Sequence, residues 1–423
     1  MIKTPQPPPV ASASNQDYPT LTISAEGTDY KYAEALLTQA NLHHLMPKTE
    51  VWNIEHSSRE LSYLTHNMFR FFGKFPPPIA RHLIERYTEK NDSVYDAMVG
   101  SGTTAIEALQ VMRKIFCSDV SPLSELLTRV KCQPINAVAL FETLDRLKAL
   151  YFSSLFRPTV RTSEVKLSPE RLAHWFLKET VDSLRKLLSA IRTLDNRVIY
   201  DFFLCCFISI VRKVSRATTQ QGRLFLDHET AIKKPWPMFE KVCLNFIESV
   251  SHLPSHFSPP HFILSDLRAI PSLPASPTLV ICHPPYFNVY KFSRIFTLEL
   301  AWLGVYSRNE VSKKEVREFF KVGKPDNVHK YVNDMRDGIL NIASLLKSDT
   351  IFALMIGDTR IHGNHIPTTS LLLDSLANSK LKVISFAIRK PKYTEASWVA
   401  SQRRTGKKVG IHLSDYIITF RCE

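Results

Sequence analysis

The sequence predicts an α/β fold with a mostly parallel sheet, helices on both faces and a helical insertion. Three observations carry that expectation. Strand-like and helix-like segments alternate between Ser93 and Val130, alternation of the same kind resumes at Phe262, and about 130 residues of helical patterning lie between them. At 423 residues and 44% hydrophobic composition the chain can bury a large core.

Residues 1 to about 25 are rich in Pro, Ser, Ala and Thr and read as a disordered leader without an apolar signal core. A short helix is expected over Tyr30–Gln39, and the pattern around Trp52 to Glu60 is indeterminate. Pro76–Pro78 then precede or open an amphipathic helix, Ile79 to Tyr87, where a missing N–H costs least. Ser93–Asp96 and Ile115–Asp119 read as strands, each followed by a helix, Gly102–Met112 and Pro122–Val130. Helical patterns near 136–152, 168–193, 197–215 and 235–252, broken at Arg157-Pro-Thr and Lys234-Pro-Trp-Pro, make up the insertion. The remaining strands are expected at Phe262–Asp266, Thr278–Cys282, Thr350–Ile356, Lys382–Ile388 and Asp415–Phe420, with helices at Ser293–Leu303, Tyr331–Leu346 and Thr368–Asn378. The expected organisation is therefore a leader (1–25), a first half of the main domain (26–130), the insertion (131–260) and a second half (261–423).

Lys and Arg exceed Asp and Glu by 14, an excess that favours a polyanionic partner through phosphate neutralisation. The seven cysteines form no C-x-x-C pair and no Cys/His group at zinc spacing, so no metal site is expected and a reduced, cytoplasmic setting fits. The greasiest run, Phe202 to Val211, is far shorter than the roughly 20 residues that a spanning helix needs. No membrane role is expected.

Ligands of open α/β sheets bind outside the carboxyl ends of the strands. Gly100 and Gly102 fall there, where glycine allows a tight turn and close backbone approach, and the next helix N-terminus favours an anionic group. Asp119 ends the second strand and is placed to accept from a ribose diol; Asp266, ending the third, could accept from an adenine amino group. Either aspartate alone would more often be a cap or a solvated loop residue.

The segment Asp96-Ala-Met-Val-Gly100-Ser-Gly102-Thr103-Thr104, followed much later by His283-Pro284-Pro285-Tyr286, resembles the cofactor and catalytic loops of the S-adenosylmethionine-dependent amino-methyltransferases that modify DNA bases. The resemblance covers roughly residues 63–130 and 260–421 and implies a class I (Rossmann-like) sheet of seven strands with the last antiparallel. It implies S-adenosylmethionine as cofactor, held by Asp96, Gly100, Gly102, Thr103, Asp119 and Asp266, with His66 and Phe75 in the stretch that contacts its methionine end. It also implies that Pro284 offers its carbonyl to the target amine, Pro285 fixes the turn and Tyr286 stacks on an extruded base. His283 stands where the family has Asp, Asn, Ser or Thr. A neutral imidazole can accept from an amine but is bulkier and can become cationic.

Asp or Asn at that position accompanies adenine-N6 chemistry in the family and Ser or Thr cytosine-N4 chemistry, so His283 leaves the base open. Tyr290, Arg294 and Leu298-Glu-Leu-Ala-Trp-Leu-Gly304 look more like the cytosine-N4 relatives. Cytosine-C5 chemistry needs a Pro-Cys nucleophile, and no Cys follows a Pro here. The implied partner is double-stranded DNA with a flipped target base, and a cognate restriction endonuclease if the chain is half of a restriction-modification system. Candidates for gripping DNA are the insertion, with Arg212-Lys-Val-Ser-Arg216 and Arg223, the stretch Lys313–Lys330, and Arg403–Lys408. An RNA or tRNA base methyltransferase, or an inactive nucleic-acid-binding relative, would share the same motifs.

Overall fold

The computed structural model describes residues 18–24, 28–220, 223–227, 229, 231–288, 291–316, 326–361, 364–389 and 415–423. Most of the leader, Tyr290, the centre of the Lys313–Lys330 stretch and Arg403–Lys408 lie outside them. In chain order the strands are β1 (Thr22–Ser24), β2 (Thr49–Asn53), β3 (Ser93–Asp96), β4 (Lys114–Asp119), β5 (Ala217–Gln220), β6 (Arg223–Leu226), β7 (His261–Leu264), β8 (Leu279–Cys282), β9 (Ile351–Gly357), β10 (Thr359–Ile361), β11 (Asn364–Ile366), β12 (Leu381–Arg389) and β13 (Asp415–Cys422).

Nine of these form one sheet in the order β1-β2-β12-β13-β9-β8-β3-β4-β7. Seven are the strands the sequence predicts. β7, β4, β3, β8 and β9 run parallel, and β13 lies antiparallel between β9 and β12. This is the class I methyltransferase sheet. Two further strands extend it: β2 pairs parallel with β12, and β1 antiparallel with β2. Their sequence is too short and too polar to stand out from its surroundings. From β3 the chain steps outward through β4 to β7, then returns to place β8 on the other side of β3, so the switch point lies between β3 and β8.

Successive strand residues enter opposite cores. Val94, Leu279 and Ile281 face one cluster, with Ile79, Ile106 and Leu127; Tyr95, Val280 and Cys282 face the other, with Leu37, Met335 and Ile339. The insertion comprises helices Ala137–Phe152, Pro169–Trp175, Lys178–Ile191, Arg197–Val211 and Pro235–Ser251. Asn136 and Asn196 cap two of them, each side-chain oxygen accepting from two backbone N–H groups. The insertion does not stand apart from the sheet. Its buried Phe202, Phe207 and Phe239 belong to the first cluster, and helix Arg197–Val211 packs on helix Pro122–Lys131. It also carries the β5–β6 hairpin, which its helical patterning did not announce. The expected helix Ser293–Leu303 is two pieces, Phe292–Ile295 and Thr297–Trp302, with Phe296 between them.

All seven cysteines are buried thiols. Among the described residues no helix is long and apolar enough to cross a membrane, and no three His, Cys, Asp or Glu side chains gather to hold a metal.

Candidate active site

β3 ends at Asp96, and the loop that follows closes over the strand ends on both sides. Ala97 N–H donates to the Ile281 carbonyl (2.9 Å) and Val99 N–H to that of Ser118 (3.0 Å). Gly100 and Gly102 are in the left-handed region, at φ +52° and +84°. A Cβ on Gly102 would lie 3.2 Å from Thr128 Oγ1 and 3.3 Å from its Cα; one on Gly100 would lie 3.2 Å from the Phe71 ring. Helix Thr103–Gln110 starts directly after Gly102, with Thr103 buried and its hydroxyl 3.3 Å from Ser101 Oγ.

Two carboxyls bracket this loop, Asp96 buried and Asp119 half-buried. Asp96 accepts from Met98 N–H (3.0 Å), and burial pushes its pKa up to about 7. Asp119 accepts from Gly100 N–H on one oxygen and Ser121 N–H on the other, both at 2.9 Å, and burial pushes it up to about 6. No cation pairs with Asp119 among the described residues. The Ser124 side chain also hydrogen-bonds this carboxyl, which leaves it acceptor capacity for one further hydroxyl donor.

Asp266 departs from the expectation. It lies two residues beyond the end of β7, and Arg268 forks its carboxylate, Nε to Oδ1 at 2.9 Å and Nη2 to Oδ2 at 2.7 Å, while Arg268 N–H also donates to Oδ1. Arg268 reaches Asp334 as well, at 2.5 Å. The Arg268 guanidinium thus holds both carboxylate oxygens of Asp266.

His66 has a partner inside the core. Its imidazole is buried and turned to Glu107, with Nε2 2.8 Å from Oε1, so it is committed to the core. Glu107, fully buried on the helix after the glycine loop, also accepts from Tyr63 Oη (2.7 Å) and Arg81 Nε (2.8 Å). Burial acts to raise its pKa, but the His66 hydrogen bond and the charges around it hold the carboxyl below its ordinary range. Burial lowers that of His66, so the neutral ring donates from Nε2. Sequence reading passed over Glu107, although a lone charge inside Ala105-Ile-Glu107-Ala-Leu109 is a signal of a buried, paired acid. It passed over Lys131 too, whose fully buried amine donates to the Ser101 carbonyl (2.7 Å) and braces the glycine loop from behind.

The second loop stands next to the first. β8 pairs with β3, Ile281 opposite Asp96, so His283–Tyr286 leaves the sheet beside the glycine loop. Pro284 is buried. The Pro285 carbonyl accepts from Tyr331 Oη (2.9 Å), and Tyr286 Oη donates to Asp415 Oδ1 (3.0 Å). The His283 ring meets Tyr286 edge-on, centroids 5.5 Å apart at 85°, and lies 5.2 Å from Phe75. Phe75 therefore touches the His283–Tyr286 loop. Downstream, Arg294 is exposed, whereas Leu298–Gly304 turns into the core: Glu299 pairs with Arg212 (3.3 Å) and Trp302 packs on Phe176 and Phe207. The two loops thus open side by side at the carboxyl ends of paired strands in a sheet of class I methyltransferase order.

The profile of the DNA methylase family matches residues 12–124, which include the glycine loop and the end of β4. Type II methyltransferase M.MvaI of Kocuria varians is 26% identical over 171 residues, 38% of this chain and 37% of that protein. Type II methyltransferase M.BsoBI of Geobacillus stearothermophilus is 24% identical over 324 residues, 67% of this chain and 61% of that protein. Over these stretches the chain is similar to DNA methylases and to type II methyltransferases. It aligns with less than two thirds of the length of either relative. An rRNA methylase from Streptococcus thermophilus superposes on 82% of this chain and 97% of its own with a TM-score of 0.31 at 9% identity, too loose a match to add to the topology above.

Proposed function

We propose that this chain transfers a methyl group from S-adenosylmethionine to an exocyclic amine of double-stranded DNA, cytosine N4 in preference to adenine N6, at specific sequences, as the modifying half of a restriction-modification pair. The observation that carries the reading is the juxtaposition of the Gly100–Gly102 loop and the His283–Tyr286 loop on paired strands β3 and β8. Bound cofactor supplies an electrophilic methyl. Gly100 and Gly102 clear the space that a Cβ would fill, the N-terminus of helix Thr103–Gln110 takes the carboxylate end, and Asp119 accepts from the ribose diol.

The amine lone pair is delocalised into the base ring, so catalysis is positioning. The Pro284 carbonyl accepts a hydrogen bond from one amine N–H and the His283 imidazole from the other, Tyr286 stacks on the flipped base, and the single proton that methylation releases from the amine leaves to solvent. Asp266, committed to Arg268, is left out of adenine recognition. The lean to cytosine is supported by the Arg294 and Leu298–Gly304 pattern. Labelled S-adenosylmethionine incubated with unmethylated plasmid DNA and with RNA, followed by nucleoside mass spectrometry, tests the reading. Label in N4-methylcytosine is expected; label confined to RNA would sink it, and label in N6-methyladenine would move the target base.

Cofactor affinity is expected to fall in acid. Asp119 accepts the diol as a carboxylate, and its pKa near 6 means that protonation begins in a mildly acidic range, weakening binding by up to about tenfold per pH unit below that value. Calorimetric titration at pH 8 and pH 5 checks this. In Asp119→Asn the affinity should be low at both, and a wild type with equal affinity at both pH values would remove Asp119 from the cofactor site.

The insertion serves target recognition in this reading. Between it and the 56–74 segment runs a cleft of about 1350 Å³ whose walls include Arg70, Lys74, Arg212 and Lys213. Lys213 is faced by the like charges of Lys233, Arg212 and Lys241. Such a cluster suits phosphates. The double substitution Lys213→Gln, Lys241→Gln should weaken plasmid binding and flatten the slope of log affinity against log salt by about 2, at roughly 0.9 per phosphate contact. An unchanged slope would move the DNA elsewhere.

A further inference from the structure

We propose that Asp415 is a positioning residue that sets the plane of the Tyr286 ring, with Tyr331 doing the same for the loop that carries it. The inference rests on the reading of Tyr286 as the platform for the target base. Its starting point is that a proline pair fixes backbone but not a side chain. Pro284 and Pro285 hold the turn through their own φ angles, yet the tyrosine after them could swing about χ1 and χ2.

Two long-range hydrogen bonds remove that freedom. Tyr286 Oη donates to Asp415 Oδ1 at 3.0 Å, and Tyr331 Oη donates to the Pro285 carbonyl at 2.9 Å. Both anchors are rigid. Tyr331 is fully buried in helix Asn327–Ser344. Asp415 is the first residue of β13, 4% exposed, and is paired in register with Gly357 of β9 and Arg389 of β12. Arg389 Nε meets its second oxygen at 3.1 Å, which holds its rotamer. On its other side the Tyr286 ring meets His283 edge-on. The ring is thus held at its tip by the antiparallel end of the sheet and at its flank by the residue that replaces the family's small polar one.

This gives the β12–β13 pair a task in the reaction. A base that stacks on a free tyrosine samples many poses, whereas one that stacks on a pinned ring presents its amine in one direction. Loss of the tether should lower turnover more than binding, since a loosened ring still offers a stacking face.

The test uses the full chain, unmethylated plasmid DNA and labelled S-adenosylmethionine, with kcat, the KM for DNA, the Kd for cofactor and the melting temperature measured for Tyr286→Phe, Asp415→Ala and the double variant. Tyr286→Phe keeps the ring and removes only the hydroxyl. It is expected to lower kcat by about ten- to a hundredfold, in line with loss of a hydrogen bond to a charged group, with cofactor Kd and melting temperature within about twofold and about 2 °C of wild type. Asp415→Ala should give the same drop, and the double variant should be no slower than the slower single, because both remove one interaction. Wild-type kcat in Tyr286→Phe, or a double variant whose loss is the product of the single losses, overturns the tether. If Asp415→Ala fails to fold, Tyr286→Phe alone decides. Full activity in Tyr286→Ala would instead overturn the platform reading, whereas a dead Tyr286→Ala beside a fully active Tyr286→Phe would overturn the tether and leave the platform standing.

Discussion

Tyr286→Ala is expected to cut methyl transfer by about a hundredfold or more while leaving S-adenosylmethionine affinity within about twofold. The side chain stands on the loop after β8, with Pro284 and Pro285 before it, and its half-buried ring meets that of His283 edge-on. Stacking on a base contributes roughly 1–3 kcal/mol, and most of the loss arises because an unstacked base no longer holds its amine in line. The glycine loop and Asp119 are untouched by the substitution, so cofactor binding measured by calorimetry should persist. Loss of both activities together would show that Tyr286 braces the cofactor loop and that the assignment of two neighbouring sites is wrong. His283→Ser and His283→Asp complete the series: unchanged rates would show that the imidazole does not contact the amine.

The second large effect is on stability. Glu107 accepts from Tyr63, His66 and Arg81 while fully buried, so Glu107→Gln removes a charge from the centre of a network that cannot rehydrate. Breaking a buried pair by removing one partner costs about 3–5 kcal/mol, since the guanidinium of Arg81 is left without its carboxylate. Denaturant unfolding at pH 7 should reveal that difference.

The pH dependence follows from the direction of the shift. Glu107 is held below its ordinary 4.5 in the folded chain, so its contribution is fully present above 4.5 and disappears as the pH falls through the folded value. Wild type and Glu107→Gln should therefore converge in stability in strong acid. A gap of the same size at pH 7 and pH 3 would mean that the network acts through packing and not through charge. The network lies one helical turn behind the glycine loop, so if that loop holds the cofactor as proposed, loosening the network should also weaken cofactor binding.

The sequence by itself determined the parts of this protein that are written in adjacent residues. Strands and helices run over three to eighteen residues, a left-handed turn needs glycine at the turn itself, and both loops fall at strand ends because a buried apolar run such as Leu279–Cys282 stops where prolines begin. The seven-strand core and the neighbourhood of Gly100, Gly102, Asp119 and Pro284–Tyr286 were legible on those grounds. Tertiary structure alone decided which partner each polar side chain took. Asp266 is a strand-end acid like Asp119, yet Arg268 claims it; His66 sits in the expected segment, yet Glu107, 41 residues away, turns it inward. Tyr286 finds its acceptor 129 residues further on, and β2 finds an edge on β12 that its own five residues do not advertise. Local patterns reflect backbone preference and the division between core and solvent, both set within one or two turns of chain. A hydrogen-bond or ion-pair partner is chosen only after packing has brought distant segments within about 3 Å, and burial then makes the choice costly to reverse.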